Sequence, residues 1–398
     1  METTIKKPIN RNIIKMAILL LGLTDCGVGA TTAALASISA AFPTVSMGII
    51  QMVASVPALF FAIGPTLCYA PMARALKKRT ILWIGFVLFV IGGLSPAWMN
   101  SSIEMILVFR ACLGLGLGIL TPLGVDLICD IFEGDEKRTM LGLNGAMLGI
   151  SGLLFQTLGG FLSQIRWDYT FFAYLPGIAF LIFALVFLPE PKKRTVKVEE
   201  NVPKVKAKLP VSAILYIIMV FFNGMFFYVA ITNSAFVLVG DNIAQPYQIG
   251  LMFNALTVSA IIVGLIFGKL FKKLRYWIFT FSVLAGGIGL FLCGATNSIV
   301  VFSIGLFLVG FTLSGVIVSA ESKISDVVSP VMQALGISLI VTAMNMGEFF
   351  QPVIFNLFSE PGRQPFIIGA VAFVILAVIS IFVEKATKDK TKIPEIGT

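Results

Sequence analysis

The sequence repeats, twelve times over, a run of about 20 mostly apolar residues, and that repetition limits the fold more than any other feature. The runs fall near 13–40, 46–70, 80–98, 103–129, 140–163, 170–189, 211–239, 248–271, 276–295, 298–320, 332–357 and 365–383. A bilayer core of about 30 Å needs about 20 residues of helix to cross it. Lipid offers no partner to an exposed backbone N–H or C=O, so each run must close its hydrogen bonds internally as a helix. The alternating pattern of a membrane barrel is absent. Apolar residues make up 58% of the chain, charged residues 12%, and mean hydropathy is +0.97. A soluble domain keeps about 25% of its residues charged, and this inventory cannot cover a water-facing surface. The prediction is an all-α membrane protein of twelve transmembrane helices.

The basic residues orient it. With the amino terminus inside, the predicted inner segments hold Lys6, Lys7, Arg11, Lys15, Arg74, Lys77, Lys78, Arg79, Lys137, Arg138, a run from Lys192 to Lys208, Lys269, Lys272, Lys273, Arg275, Lys323, and Lys385 to Lys392. The predicted outer loops hold Arg166 and Arg363. This is the bias of the positive-inside rule, and an even helix count puts both termini in the cytoplasm. The net charge of +9 is therefore a topology signal, and no stretch is long enough to form a basic nucleic-acid-binding domain. The basic start followed by Met16–Leu23 has the outline of a signal peptide, with small residues at 36–41. Its removal would leave eleven helices, so it is read as the first helix. The five cysteines are scattered singly and the chain has no histidine. Metal spacing and the usual proton-relay side chain are both missing, and no cofactor is expected.

One polar stretch is long enough to be a linker. Residues 190–210 combine charge and proline without an apolar period. They divide the chain into an amino-terminal six-helix bundle, 1–189, and a carboxy-terminal one, 211–398, with a short basic tail. Six plus six around a long central loop is a common organisation of secondary transporters. The halves echo each other. The second helix ends in Arg74-Ala-Leu-Lys-Lys-Arg79 and the eighth in Gly268-Lys-Leu-Phe-Lys-Lys-Leu-Arg275. The fifth contains Gly152-Leu-Leu-Phe-Gln156 and the eleventh Gly347-Glu-Phe-Phe-Gln351.

Over essentially its whole length the chain resembles the major facilitator superfamily. In helix four, Arg110-Ala-Cys-Leu-Gly114-Leu-Gly116-Leu-Gly118 is similar to that family's R-x-x-x-G-x-G-x-G signature, common in proton-coupled members. The basic turn at 74–79 resembles its G-x-L-x-D-R-x-G-R-R loop, with Ala73 at the acidic position and Leu76 at the second glycine. Leu188-Pro-Glu190, closing helix six, is also typical. Gly145, Gly149, Gly152, Gly159 and Gly160, followed by Trp167, are similar to the antiporter signature, whose Gly-Pro pair is Phe155-Gln156 here. The resemblance implies two pseudo-symmetric six-helix bundles around a cavity open to one side at a time. It implies a small-molecule substrate, often proton-coupled, and bacterial drug–proton antiporters as the nearest kind.

Ionisable groups within hydrocarbon cost about 2.5–3.5 kcal/mol each on insertion scales and mark function. Asp25 lies roughly 18 Å in from the inner face and Arg110 roughly 12 Å from the outer, depths that coincide in a core of about 30 Å. Helices one and four line the cavity in the family, so an Asp25–Arg110 pair is expected, either as a protonation switch or as a fixed tether. Glu348 in helix eleven is the second proton-coupling candidate. With no basic partner visible in its half it is neutral or faces water. Asn345 and Gln351 are expected to share its face broadly. Asp126, near the inner end of helix four, is expected to latch onto Arg74 or Lys77 as a cytoplasmic gate, with Asp130 beside it, or to make a plain surface contact. Thr24, Asn144, Gln156, Asn223, Asn233 and Asn254 are candidates to line the cavity. Phe226 and Phe227, in the aromatic run Phe221-Phe-Asn-Gly-Met-Phe-Phe-Tyr228, suit a flat lipophilic substrate or simply pack helices.

Embedded charge is net acidic, with Asp25 and Glu348 against Arg110, which disfavours an anionic substrate. The leading expectation is a proton-coupled exporter of small lipophilic or cationic compounds. It would act as a monomer in the lipid bilayer of a bacterial plasma membrane. The alternative is a proton symporter importing a metabolite whose carboxylate Arg110 would grip. An enzyme is not expected: no phosphate loop or catalytic constellation is present.

Overall fold

The computed structural model describes residues 10–24, 27–190, 209–275, 277–328 and 330–388. Among the described residues, twelve helical spans are long and apolar enough to cross a membrane: α1 (Arg11–Ala41), α2 (Met47–Ala75), α3 (Lys78–Ala97), α4 (Ile103–Ile131), α5 (Gly134–Ile165), α6 (Trp167–Phe187), α7 (Val211–Gly240), α8 (Pro246–Leu274), α9 (Trp277–Ala295), α10 (Ile299–Val327), α11 (Leu335–Phe355) and α12 (Arg363–Lys385). Asp25 and nearly all of the 190–210 linker lie outside the described residues.

The spans pack as two bundles of six related by a shift of six helices. α2 and α3 pack on α4 as α8 and α9 pack on α10, and α1 meets α5 as α7 meets α11. The bundles touch along two seams, α2 with α11 and α5 with α8, which the same shift exchanges. Short turns alternate the direction of the spans, so Arg74, Lys77, Lys78, Arg79, Lys137, Arg138, Lys269, Lys272, Lys273 and Arg275 gather at one end, here the basic end. The far end holds two described basic residues, Arg166 and Arg363. Each stands where the sixth helix of its bundle begins. Arg166 Nε donates to Asp168 Oδ1 at 2.6 Å. Arg363 donates to Asp241 Oδ2 at 2.8 Å and to the carbonyls of Gly294 and Thr296.

Three departures from straight α-helix shape the interior. The hydropathy of the first run predicts one continuous helix, but α1 is α-helical at Arg11–Gly22, tightens to a 3-10 helix at Gly27–Ala34 and resumes at Leu35–Ala41. Small residues and threonines there favour the break. Thr24 and Thr32 turn their hydroxyls back on the carbonyls of Leu21 and Gly29, and other helices recruit the carbonyls of Val28 and Ala30. α2 carries Pro57 inside and widens to a π turn at Gly64–Tyr69. α6 opens as a 3-10 helix, Trp167–Tyr174.

The glycines of helix four serve close approach. A Cβ on Gly114 would stand 2.4 Å from the Pro57 carbonyl oxygen, and one on Gly118 would meet the Cα of Gly64, so this face of α4 lies against α2. Gly116, two residues between them, faces the backbone of α3 at Phe89. Alternating glycines thus let one helix approach two neighbours at backbone distance.

At the basic end, the Glu190 carboxylate accepts the backbone N–H groups of Lys78 (2.9 Å) and Arg79 (3.0 Å), capping the start of α3. Lys15 Nζ lies 2.7 Å from Glu136, which Arg11 also reaches, tying α1 to α5. In the second bundle Lys323 and Glu384, both buried, approach to 4.0 Å between α10 and α12.

Candidate functional site: a cavity between the bundles

A cavity of about 240 Å³ lies between the two bundles, and six spans line it. Val28, Gly29 and Thr32 come from the 3-10 stretch of α1, Ala58 and Phe61 from α2, and Leu148 and Gln156 from α5. Phe227, Tyr228 and Ile231 come from α7, Leu313 from α10, and Asn345 and Glu348 from α11. Glu348 is the one ionisable carboxyl among these lining residues, and the lining contains no basic side chain. A larger depression of about 810 Å³, beside Asp241 and Arg363, is an open dish on the far-end surface away from this cavity.

The bundles are closed at the far end and parted toward the basic end. Along the α5–α8 seam, Gly160 lies against Gly250 and Pro246 so tightly that a Cβ on either glycine would strike backbone. Contact continues to Gly149 against Ile261, but no atom approaches the Cβ positions of Gly145 and Gly142 within 4 Å. Along the other seam the Tyr228 hydroxyl donates to the Ala54 carbonyl at 2.7 Å, joining α7 to α2.

Arg110 is wholly buried and absent from the cavity lining. Its Nε donates to the Val53 carbonyl at 2.7 Å, one terminal nitrogen to the Tyr174 hydroxyl at 2.5 Å and the other to the Val28 carbonyl at 2.9 Å. Each acceptor has a cause. Pro57 lacks an N–H, which leaves the carbonyl four residues earlier, that of Val53, without its helical donor. Val28 sits in the 3-10 break. Tyr174 closes the irregular start of α6, with its ring edge-on to Phe89. The guanidinium therefore binds α1 through the Val28 carbonyl, and α2 and α6 as well. Asp25, its expected partner, lies outside the described residues.

The other candidates divide. Gln156, Phe227, Asn345 and Glu348 line the cavity. Phe226 does not: it packs on Phe355 and Phe373, while Phe227, Tyr228 and Ile231 form the face of α7 turned to the cavity. Asn223 is buried in α7 with Nδ2 3.7 Å from the Met344 sulfur, and Asn254 donates to Thr157 Oγ1 at 2.8 Å within the α5–α8 seam. Asn144 is buried against Gly22 of α1. Thr24 bonds its own turn. Asn345 and Glu348 share a face at a spacing of three, but Gln351, six from Asn345, has rotated about 120° off it and bonds Thr232 at 2.7 Å beyond the cavity. Asn233 lies with it there.

The expected gate differs in its partner. Asp126 and Asp130 face Lys78, at 3.6 Å and 2.7 Å, and the Tyr69 hydroxyl donates to Asp126. Among the described residues neither Arg74 nor Lys77 makes an ion pair; both are exposed. The turn after α2 extends so that Lys78, in the first turn of α3, points back toward α4. All these groups belong to the first bundle, so the latch ties α2 and α3 to α4 and does not cross between bundles. Tyr228 and Gln51 were not singled out for the cavity or the closed end. Gln51 is legible in retrospect as a lone amide in an apolar run.

Comparison with solved structures shows the same fold throughout. A bacterial homolog of the human lysosomal transporter Spinster, inward-facing and unoccupied, superposes with a TM-score of 0.77 at 15% identity, covering 96% of this chain and 98% of that one. The nucleoside transporter NupG gives 0.76 at 13% identity, covering 94% and 99%. A D-xylose–proton symporter gives 0.70 at 17%, covering 93% and 96%. In sequence the chain is 24% identical over 229 residues to Multidrug resistance protein 3 of Bacillus subtilis (strain 168), covering 53% of this chain and 43% of that protein. It is 29% identical over 114 residues to Multidrug transporter protein MdtP of the same organism, covering 28% and 21%. The matched segments thus span less than half the length of these relatives. The sequence model of the Major Facilitator Superfamily matches residues 17–240 and again 216–397, and the chain belongs to this family of transporters.

Proposed function

We propose that the chain is a proton-coupled exporter of small lipophilic or cationic compounds working by alternating access. The basic end and both termini face the cytoplasm of a bacterial plasma membrane, and a single copy suffices. The observation that carries the reading is the cavity lining: one carboxyl, Glu348, among aromatic and apolar side chains and two amides, with no cation. Such a site attracts a lipophilic cation through charge and through the faces of Phe61, Phe227 and Tyr228. A proton and a cationic substrate exclude each other at one carboxylate, which is the elementary requirement of exchange. Asp25, next to the break in α1, is assigned a second coupling role through Arg110. The relatives named as multidrug proteins support the same substrate class. Import of an organic anion is less well supported, since Arg110 is engaged by backbone carbonyls and does not line the cavity.

The test is efflux of a fluorescent lipophilic cation from cells stripped of their own pumps, with and without a protonophore. Wild-type efflux that collapses with the protonophore, and is lost in Glu348→Gln, is the expected result. Efflux that persists in Glu348→Gln but fails in Asp25→Asn would move the coupling role to α1. Absence of efflux in wild type would overturn the export reading.

A further inference from the structure

The closed end of the α2–α11 seam contains a lattice of uncharged polar groups that the cavity itself does not use. Gln51 of α2 lies at its centre, 1% exposed, and commits both ends of its amide to the opposite bundle. Its Nε2 donates to Asn233 Oδ1 at 3.1 Å and to the Thr232 carbonyl at 3.3 Å, both on α7. Its Oε1 accepts from Asn356 Nδ2 at 2.9 Å, just past the end of α11. The lattice continues within the second bundle: Thr232 Oγ1 donates to Gln351 Oε1 at 2.7 Å, and the Gly362 N–H reaches Asn233 Oδ1 at 3.3 Å. Thr232, Asn233 and Gln351 are all fully buried. A glutamine in an apolar run is costly unless its amide is satisfied. Here the partners lie across the seam, so the bonds exist only while the bundles are closed at this end.

We propose that Gln51 is the positioning residue that holds the bundles shut at the far end, and that opening there is an exchange of neutral amide bonds with no ion pair to break. The closing bonds need no titrating group and leave the response to protons to the cavity. The proposal is independent of the substrate, and its test requires none.

The experiment is hydrogen–deuterium exchange of the full chain in lipid nanodiscs, comparing wild type with Gln51→Leu and Asn356→Ala. Leucine keeps the volume of the glutamine and removes all three bonds. Exchange in peptides over 47–55, 228–240 and 351–358 is expected to quicken roughly fivefold in Gln51→Leu, and less in Asn356→Ala. Peptides over 140–147 and 264–270, on the parted side of the Gly149–Ile261 contact, are expected to slow as the population moves to the alternative state. Unchanged exchange at the far end would overturn the proposal. So would faster exchange throughout the chain, because a side chain that merely stabilises the fold loosens both ends together.

Discussion

Two ionisable residues in the membrane core meet opposite environments. Arg110 has three acceptors placed around it, the Tyr174 hydroxyl and two backbone carbonyls: that of Val53, which Pro57 leaves without its helical donor, and that of Val28 in the 3-10 stretch. A planar guanidinium spans these directions and an ammonium does not. Arg110→Lys is therefore expected to keep the charge yet cost about 3 kcal/mol of stability by leaving buried acceptors unmatched, read as a fall in Tm of the purified protein. Glu348, by contrast, faces the cavity, and no hydrogen bond or ion pair to it is found among the described residues. Glu348→Gln, nearly isosteric, is expected to leave stability within about 1 kcal/mol of wild type, read from Tm, while abolishing cation efflux. The two substitutions are expected to differ in their first effect, on stability at Arg110 and on efflux at Glu348.

At the scale of the helix, spacing decides which neighbours a span can have. The glycines of α4 put Gly114 beneath Pro57 and Gly116 against α3, so Gly114→Val is expected to force α2 and α4 apart and cost about 3 kcal/mol, measured by thermal unfolding. All twelve spans were legible from hydropathy, because the bilayer thickness imposes their length regardless of what they pack against. The break in α1 was not, because its carbonyls are claimed by Arg110 and Thr170 from distant parts of the chain. The same limit separates Phe227 from Phe226, and Lys78 from Lys77. Composition nominates a run or a turn, while the rotation of one helix against another selects the residue within it. Glu348, Asn345 and Gln156 were found because a polar side chain in an apolar run has few places to go. Gln351 carries the same signal and lies in the closed end instead.

For the molecule as a whole, both seams are closed at the far end, and the α5–α8 seam opens toward the basic end at Gly145 and Gly142. On the α5–α8 seam the closure depends on Gly160 and Gly250 touching at backbone distance. Gly250→Leu is expected to prop the far end open without unfolding either bundle, which would appear as faster modification, from the outer side, of a cysteine placed at Ile231 in the cavity. The carboxyl in that cavity is the centre of the account, and purified protein in liposomes tests it most directly. The liposome lumen is made acidic and a lumenal dye reports its pH as a permanently charged lipophilic cation is added outside. The account predicts that the cation enters in exchange for protons, so lumenal pH rises with wild type and stays flat with Glu348→Gln. A cation that moves no protons through wild type, or moves them equally well through Glu348→Gln, would contradict it.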